Sequence, residues 1–478
     1  MGKGTTLAIE VRPKLREPVF LAVARTIVEE IERGRLKRGD PLPGTRALSQ
    51  FLKLNRNTVD AAYHELAMQG WLVTEPARGT FVATDLPDIA MHPQAARAAA
   101  QAAAPAQVDE RLHLSDGSPD VRLVPATAFA QAFRRALTSA AFAAGGAYGD
   151  PRGNSKLRDA LSAYLRDERG LTAAPSEILV TRGSQMALFL AASAVAGPGS
   201  LIAVERPGYP LAWSAFRAAG ADVVGVPVDA GGMDVEALEQ IARVNGRLRA
   251  VYVTPHHQYP TTVTMGVARR LRLLDVARRF GLVVIEDDYD NEYRFDGRPI
   301  LPLAARAEND LPIIYIGSLS KLLAPGIRLG YAVAPPQILA QMADRREALD
   351  RQGDLPLEHA LADLIEDGTI KRHARKARRI YHARRDLMAQ LLREQLSEDA
   401  KFVSPAGGLA IWLQLNDGLS AKTWAANAAK LGLVVMPGLQ FDLGTERPPE
   451  AFRLGFAGLD EHVLRRAMDL LGRSKPTG

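Results

Sequence analysis

Six short apolar segments, separated by stretches of helical periodicity, run through the chain from residue 178 onward. Strands that alternate with helices are typical of a mostly parallel sheet covered by helices on both faces. Polar residues follow each of the first five segments, and open sheets of this kind bind ligands at the carboxyl ends of their strands. The chemistry is therefore expected at those ends. The predicted strands are residues 178–180, 201–204, 251–254, 282–285, 313–316 and 329–333.

The fifth predicted strand leads into two hydroxyls and a lysine, Ser318, Ser320 and Lys321, and Arg328 follows seven residues after the lysine. A lysine amine forms a Schiff base with an aldehyde, while hydroxyls and a guanidinium bind phosphate by charge-assisted hydrogen bonds. This combination predicts a site for pyridoxal 5'-phosphate. A lysine at a strand end is more often a solvated surface residue, so the other strand ends must support the prediction.

An acidic run, residues 286–290, follows the fourth predicted strand. A carboxylate at the end of a buried strand is costly unless it meets a cation, and the pyridinium nitrogen of the cofactor is such a cation. Asp287 is predicted to bind this nitrogen, and Tyr289 to hydrogen-bond the ring hydroxyl. The alternative is an acidic patch that is solvated or binds a divalent metal. The adjacent His256 and His257 lack further ligands at metal-site spacing, so no metal is predicted.

Two other strand ends carry candidate cofactor residues. Gly183, Ser184 and Gln185 open a helix, and a helix N-terminus with a hydroxyl can bind phosphate, although Gly-Ser before a helix is also ordinary capping. Tyr209 is held between turn residues, where it would either stack on a pyridine ring or belong to the core.

The N-terminal region carries a local surplus of positive charge: seven basic residues against one acid within residues 33–56. Such a surplus is typical of a phosphate-backbone contact, and the alternative is a solvated charged face. Helical patterns at 18–31, with Leu21 on its apolar stripe, around Leu48 and Phe51, and at 55–68 predict a helix-turn-helix. Two strands around residues 76–79 predict a wing.

This region, residues 18–84, resembles the GntR-type winged helix, with a Gly39-x-x-Leu42-Pro43-x-Thr45-Arg46 segment before the third helix. Gly44 stands where that family usually has serine. The resemblance implies double-stranded DNA as a partner, read by a dimer on two half-sites. In this geometry the third helix faces the major groove and the wing the minor groove. The predicted DNA-binding residues are Arg46, Asn55, Arg56, Asn57, Thr58 and Arg78.

Composition bounds the domain organisation. The predicted domains are a winged helix at 15–84, an Ala-, Gln- and Pro-rich linker at 85–111 and a ligand-binding domain at 112–478, with a structural arm as the alternative to the linker. The chain has no cysteine, which excludes disulfides and thiol chemistry. Neither a membrane-spanning run nor a signal peptide is recognisable, so we expect a cytoplasmic protein without a membrane partner.

Residues 113–472 resemble the fold-type I aminotransferases, in which a large, mostly parallel sheet domain carries a smaller α+β domain. The resemblance implies that Lys321 is the Schiff-base lysine and that the residues named above bind the cofactor. It also implies that Tyr148 reaches the neighbouring subunit's phosphate and that Arg453 binds an effector carboxylate. Thr262 stands where many relatives have glycine, which puts the shape of its loop in question.

A winged helix joined to this domain resembles the MocR family of transcriptional regulators, which implies a head-to-tail homodimer. The predicted function is transcription regulation in which an amino compound displaces Lys321 and forms an external aldimine. An aminotransferase with an autoregulatory DNA-binding domain is the alternative, with possible residual transaminase activity. Residues 371–385 carry eight Lys or Arg and no acid. A solvated helix face is the favoured interpretation there, and a second DNA contact through Arg375, Arg378, Arg379 and Arg385 is the minority hypothesis.

Overall fold

The structure of the chain is a computed structural model, which describes residues 11, 17–75, 78–86, 111–114, 117–140, 142, 148–297, 300–306, 311–444 and 447–476. The chain divides into two compact units, Met1–Asp109 and Glu110–Gly478. Most of the predicted linker lies outside the described residues. No helix in the described part of the chain is long and apolar enough to cross a membrane.

The N-terminal unit is a three-helix domain with a two-stranded antiparallel hairpin. Its core consists of apolar side chains that face inward from all three helices and both strands, among them Val23, Ile27, Leu48, Val59 and Leu66. The predicted winged helix is thus observed. Its elements are α1 Val19–Glu32, α2 Thr45–Leu52, α3 Arg56–Met68, β1 Leu72–Glu75 and β2 Gly79–Val82.

Two predictions about this core were wrong. Leu21 and Phe51, both assigned to buried faces, are 36% and 52% exposed. In α1 the buried side is centred on Val23 and Ile27, and Leu21 lies nearly opposite to it on the helix. In α2 only Leu48 and Ser49 are buried, because this eight-residue helix packs on α3 through little more than one turn. Residues 76–77 of the predicted wing turn lie outside the described residues.

An eight-stranded sheet forms the centre of the second unit, in the order β4-β11-β10-β9-β8-β5-β6-β7. Neighbouring pairs from β6 through β10 are parallel, while β11 runs antiparallel between β10 and β4. All six predicted strands are present. The strands are β4 Ile178–Thr181, β5 Leu201–Arg206, β6 Asp222–Asp229, β7 Gly232–Met233, β8 Leu248–Val253, β9 Val283–Asp288, β10 Ile313–Ser318 and β11 Gly330–Val333.

A smaller antiparallel sheet of four strands, in the order β12-β13-β16-β15, completes the α+β part. A two-stranded parallel pair, β3 with β14, joins the start of this unit to its C-terminal part. The mostly parallel large sheet and the smaller α+β part agree with the predicted architecture. The remaining strands are β3 Leu112–His113, β12 Ala400–Lys401, β13 Ala410–Leu415, β14 Leu433–Val434, β15 Met436–Pro437 and β16 Ala451–Gly455.

Helices cover both faces of the large sheet, and one of them, α12, extends over 28 residues. The basic run at 371–385 lies in α12, and its Arg384 and Arg385 are buried rather than solvated. The helices are α4 Ala126–Leu137, α5 Ser155–Arg169, α6 Ser184–Val195, α7 Pro210–Ala218, α8 Val235–Val244, α9 Val267–Phe280, α10 Pro336–Asp350, α11 Leu355–Glu366, α12 Thr369–Leu396, α13 Ala421–Lys430 and α14 Glu461–Arg473.

Candidate cofactor site and DNA-binding surface

The carboxyl ends of β9 and β10 meet at a cavity of about 500 Å³. These two strands are parallel neighbours, with Asp287 opposite Ile316 and Asp288 opposite Gly317, so their ends lie at one edge of the sheet. The cavity brings together most of the predicted cofactor residues from four different strand ends. Those that line it are Ser184, Tyr209, Asp287, Tyr289, Ser318, Ser320, Lys321 and Arg328.

Lys321 lies three residues beyond the end of β10 and is half-buried. Hydrogen bonds fix its main chain, since the Tyr293 hydroxyl lies 3.2 Å from the carbonyl oxygens of both Lys321 and Leu322. A ring nitrogen of His373, on α12, lies 2.8 Å from the same Leu322 oxygen. The lysine is therefore presented to the cavity by a fixed backbone, as a covalent anchor requires.

Asp287 is 3% exposed and only partly satisfied. Its Oδ2 accepts a hydrogen bond from the Tyr252 hydroxyl at 2.9 Å, while its buried Oδ1 has no hydrogen-bond partner among the described residues. Burial raises the pKa of this carboxyl to about 7. A buried carboxylate in this state is costly, and a cation against Oδ1 would remove the cost.

A phosphate cup lies at the start of α6. The first amides of a helix have no intrahelical partner and favour an anion. Gly183 precedes the helix with φ 77°, and a Cβ there would lie 3.1 Å from the Arg328 guanidinium. Arg328 also donates to the carbonyl of Arg182 at 3.0 Å. Glycine at 183 thus lets the guanidinium approach the helix N-terminus.

The two serines complete the cup from the β10 side. The Ser318 hydroxyl accepts from the Ser320 amide at 3.2 Å, and the buried Ser320 Oγ has no partner among the described residues. Gln185 differs from its prediction in detail. Its side chain donates to the carbonyl of Leu211 at 2.7 Å, and Gln185 does not line the cavity.

An aromatic wall closes the opposite side of the cavity. The Tyr259 ring packs edge-on against Tyr209, Tyr289 and Phe441, at centroid distances of 4.9, 6.0 and 5.6 Å. The Tyr289 hydroxyl donates to the carbonyl of His257 at 2.8 Å. A phenol that donates one hydrogen bond can still accept another, so a contact between Tyr289 and a ring oxygen stays available.

Arg453 lies behind this wall, in β16, and is 2% exposed. Its guanidinium carbon is 4.3 Å from the Tyr259 ring centroid, and its Nη1 donates to the carbonyl of Pro260 at 3.0 Å. Arg453 does not line the cavity. Thr262 adopts φ 63°, the left-handed conformation that glycine would take, so the loop keeps the shape expected with glycine at a cost in strain.

Tyr148 does not belong to the cavity of its own chain. It is 72% exposed, and the Arg351 guanidinium carbon lies 4.9 Å from its ring centroid. Its predicted contact with a neighbouring subunit therefore stays a prediction.

Sequence reasoning missed several residues of the cavity. Tyr252 is fully buried within β8, where a continuous apolar run gives no sign of which side chains face the site. Phe441 and Met436 come from far along the chain, and the Gly208 amide, next to Tyr209, donates to the Phe441 carbonyl at 3.0 Å. Only the topology brings these residues to the cavity.

The site fits pyridoxal 5'-phosphate. An unsatisfied carboxylate oxygen on Asp287 matches a pyridinium nitrogen, an unsatisfied hydroxyl on Ser320 lies in a phosphate cup, and Lys321 supplies the amine between them. Among the described residues no group of three or more His, Cys, Asp and Glu is arranged to hold a metal ion.

The N-terminal unit presents the start of α3 to solvent. Asn55 caps the helix by accepting from the Asn57 amide at 2.9 Å, and Asn55, Arg56 and Asn57 are exposed. Arg78 on the wing is exposed and pairs with Glu75 at 2.5 Å. Gly44, the N-cap of α2, provides no side-chain cap.

Comparisons with known proteins agree with both units. Residues 21–82 match the family of bacterial regulatory proteins called gntR, and residues 109–471 match aminotransferase class I and II. The crystal structure of LysN, an α-aminoadipate aminotransferase from Thermus thermophilus complexed with N-(5'-phosphopyridoxyl)-L-leucine, is 30% identical. It aligns with a TM-score of 0.69 and covers 76% of this chain and 92% of that chain. The fold and site thus define a DNA-binding domain joined to an aminotransferase domain.

Whole-length relatives share this domain combination. The probable rhizopine catabolism regulatory protein MocR of Rhizobium meliloti is 31% identical over 95% of this chain and 93% of its own. The pyridoxine biosynthesis transcriptional regulator PdxR of Corynebacterium glutamicum is 31% identical over 81% of each chain. The chain belongs to the MocR-type family of regulators, which join a gntR-type domain to an aminotransferase class I and II domain.

Proposed function

We propose that this protein is a transcriptional regulator that holds pyridoxal 5'-phosphate on Lys321 and changes its DNA binding when an amino compound takes the place of that lysine. The observation that carries the proposal is the cavity at the ends of β9 and β10. There the lysine amine, the half-satisfied carboxyl of Asp287 and the phosphate cup converge. The relatives MocR and PdxR, both described as regulators, support the same function.

Lys321 and Asp287 have different roles toward the cofactor. When bound, pyridoxal phosphate supplies an aldehyde that condenses reversibly with primary amines. Lys321 competes for that carbon with the amine of the effector, and its backbone, fixed by Tyr293, keeps it within reach. Asp287 would pair with the ring nitrogen and favour its protonated form, and that cation would in turn offset the burial that raises the pKa of Asp287.

The aromatic wall indicates which effectors fit. Tyr209, Tyr259, Tyr289 and Phe441 leave mainly apolar and edge-on aromatic contacts for a side chain. A carboxylate that pairs with Arg453 requires Tyr259 to move aside, since the guanidinium lies behind that ring. Such a movement would be made only with carboxylate-bearing ligands, and only a ligand that binds two arrangements unequally shifts the balance between them.

DNA recognition is assigned to the exposed start of α3 and to the wing. Arg56 and Asn57 are exposed where a recognition helix meets base edges, and Arg46 and Arg78 are exposed for contacts with the backbone or minor groove. We also propose a homodimer in which Tyr148 completes the partner's phosphate site, in a head-to-tail arrangement. A dimer would present two winged helices to two half-sites.

An aminotransferase is the second candidate function, because the same residues serve transamination and LysN is described as an aminotransferase. Steady-state assay of the purified protein with amino donors and a keto acid separates the two. Multiple turnovers at enzyme-like rates favour the enzyme. A single stoichiometric reaction or none favours the regulator.

The direct test compares wild type with Lys321→Ala. DNA affinity is measured by fluorescence anisotropy on a duplex selected from a random library, with and without a panel of amino acids. We expect both proteins to bind DNA and only wild type to change affinity with one class of amino compound. A Lys321→Ala protein that responds as wild type does would disprove sensing through the lysine. Arg345→Ala, a half-buried residue of α10 that does not line the cofactor cavity, is the matched control.

A further inference from the structure

A second cavity, of about 240 Å³, lies on the other side of the residues that wall the cofactor site. It is enclosed by the end of α5, the loop after β8, the segment after β9 and the first turns of α12. It shares none of its lining residues with the cofactor cavity. The function proposed above makes no use of it.

The charges that line this second cavity do not cancel. Its two acids are already engaged: Glu168 pairs with Lys371, and Glu292 pairs with Arg169. Three further cations line the same space, and among the described residues none of them forms an ion pair. These are Arg294, Arg375 and Arg378. The cavity therefore carries a surplus of three positive charges.

Arg294 is the sharpest sign of a missing partner. Its Nε and Nη1 are buried and have no hydrogen-bond partner among the described residues. Burial lowers the pKa of this guanidinium, and Asp296, which is paired with Arg385, opposes that effect only in part. An always-charged group buried in this way costs free energy that a nearby anion would recover.

The size and enclosure of the cavity select the kind of anion. A volume of 240 Å³ equals the share of about eight water molecules in the liquid, which accommodates a phosphate group with a small substituent. Guanidinium groups bind phosphate oxygens in forked pairs. A duplex backbone would meet the exposed Arg375 and Arg378, yet it would leave the inner Arg294 without compensation.

We propose that this cavity is a second ligand site, which binds a small phosphate-class anion through Arg294, Arg375 and Arg378. His257 connects the two sites. It lines the second cavity and its ring hydrogen-bonds Asp290 at 2.7 Å, while its carbonyl accepts from Tyr289, which lines the cofactor cavity. The ligand chemistry is either free phosphate or a phosphate monoester.

The test uses full-length protein loaded with pyridoxal phosphate and reduced with borohydride, so that the cofactor's own phosphate cup is filled. Inorganic phosphate and glycerol phosphate are titrated separately by isothermal calorimetry at constant ionic strength. We expect saturable binding of one phosphate per chain. Arg378→Gln, an exposed change, and Arg294→Gln should each weaken it at least tenfold. Tighter binding of glycerol phosphate than of phosphate would assign the site to monoesters, and the reverse order to the free anion.

Arg379→Gln is the matched control, because Arg379 is exposed on the same helix but does not line the cavity. It should bind phosphate as wild type does. Heat that never saturates, or equal weakening by all three variants, would overturn the proposal. So would a set of variants that keep phosphate affinity but lower the salt dependence of DNA binding, since the charges would then serve as a DNA contact.

Discussion

Asp287 and Asp288 are consecutive residues at the end of β9, yet their side chains lie on opposite faces of the sheet and in opposite electrostatic conditions. Asp287 faces the cofactor cavity with one hydroxyl donor, and burial raises its pKa to about 7. Asp288 accepts from Tyr315 at 2.6 Å and from Asn291 at 2.9 Å on the other face.

The surroundings of Asp288 also include positive charge. Burial opposes its ionisation, but His256 and Arg169 outweigh burial and hold the pKa of this carboxyl below its ordinary value. The chain thus supplies Asp288 with two hydrogen-bond donors and the nearby Arg169 guanidinium, while Asp287 has one donor and is left for a ligand. The difference distinguishes a structural charge from a binding charge without reference to any relative.

The largest expected effect belongs to Asp288, the carboxylate beside Arg169. Asp288→Asn removes a charge from a buried pair with Arg169 and should lower the free energy of unfolding by about 3 kcal/mol. Urea denaturation of the cofactor-free protein measures it. Asp386→Asn, an exposed carboxyl on α12, is the control and should change stability by less than about 1 kcal/mol. A stable Asp288→Asn protein would mean that the two carboxylates do not differ as described.

Asp287→Asn should have the opposite consequence. Without the ring-nitrogen partner, affinity for pyridoxal phosphate should fall by about 3 kcal/mol, or roughly a hundredfold, while the cofactor-free protein stays at least as stable as wild type. Equilibrium titration followed by visible absorbance measures the affinity. If Asp287→Asn bound the cofactor as tightly as wild type, the unsatisfied oxygen would have no part in binding.

The pH dependence of stability sharpens the same contrast. A carboxyl with a raised pKa stabilises the fold when protonated, and this contribution is lost as the pH rises through the folded-state pKa. Between pH 6 and 8, Asp287 should therefore cost the cofactor-free protein about 1 kcal/mol. Glu205 and Glu286, whose pKa values burial also raises to about 7, add to the loss.

Asp287→Asn should flatten this profile by about 1 kcal/mol, and cofactor binding to wild type should flatten it by a similar amount, because the ring nitrogen stabilises the ionised form of Asp287. Urea midpoints at pH 6, 7 and 8 provide the measurement. Parallel profiles for wild type and Asp287→Asn would show that Asp287 does not titrate in this range.

The sequence predicted the strand ends well because a buried parallel strand appears as an apolar run and its carboxyl end as the first polar residues. Asp287, Ser318 and Lys321 were found in this way. Tyr252 and Tyr315 were not, because both lie inside apolar strands, where nothing in the pattern reveals that their hydroxyls serve opposite carboxylates.

The position of Arg453 behind Tyr259 shows a second limit. Its contact depends on how β16 of the small sheet meets the loop at 258–262 from the large one, a distance of nearly 200 residues along the chain. The hypothesis of a second DNA contact on α12 was limited in the same way, because it assumed that Arg385 faces solvent. Arg385 faces inward to Asp296 and to the carbonyl of Pro405, which spacing along a single helix could not show.

The last contrast concerns the hydroxyls that donate to the two carboxylates. Tyr315→Phe removes a donor to a fully ionised carboxylate and should lower the free energy of unfolding by about 2 kcal/mol. Tyr252→Phe removes the one donor to Asp287 among the described residues. Asp287 is mainly protonated near pH 6, so the free energy of unfolding there should change by less than about 1 kcal/mol.

Cofactor affinity should respond in the reverse order. Tyr252→Phe should weaken pyridoxal phosphate binding by about 1 kcal/mol, because the ionised form of Asp287 loses its hydrogen bond just when the ring nitrogen needs it, while Tyr315→Phe should leave affinity unchanged. Urea denaturation and cofactor titration on the same two proteins give four numbers. Equal effects of the two variants on unfolding free energy and on cofactor affinity would show that the two faces of β9 do not differ in function. If Tyr315→Phe mainly lowers stability and Tyr252→Phe mainly lowers cofactor affinity, the charge that binds the cofactor is that of Asp287, whose only donor among the described residues is Tyr252.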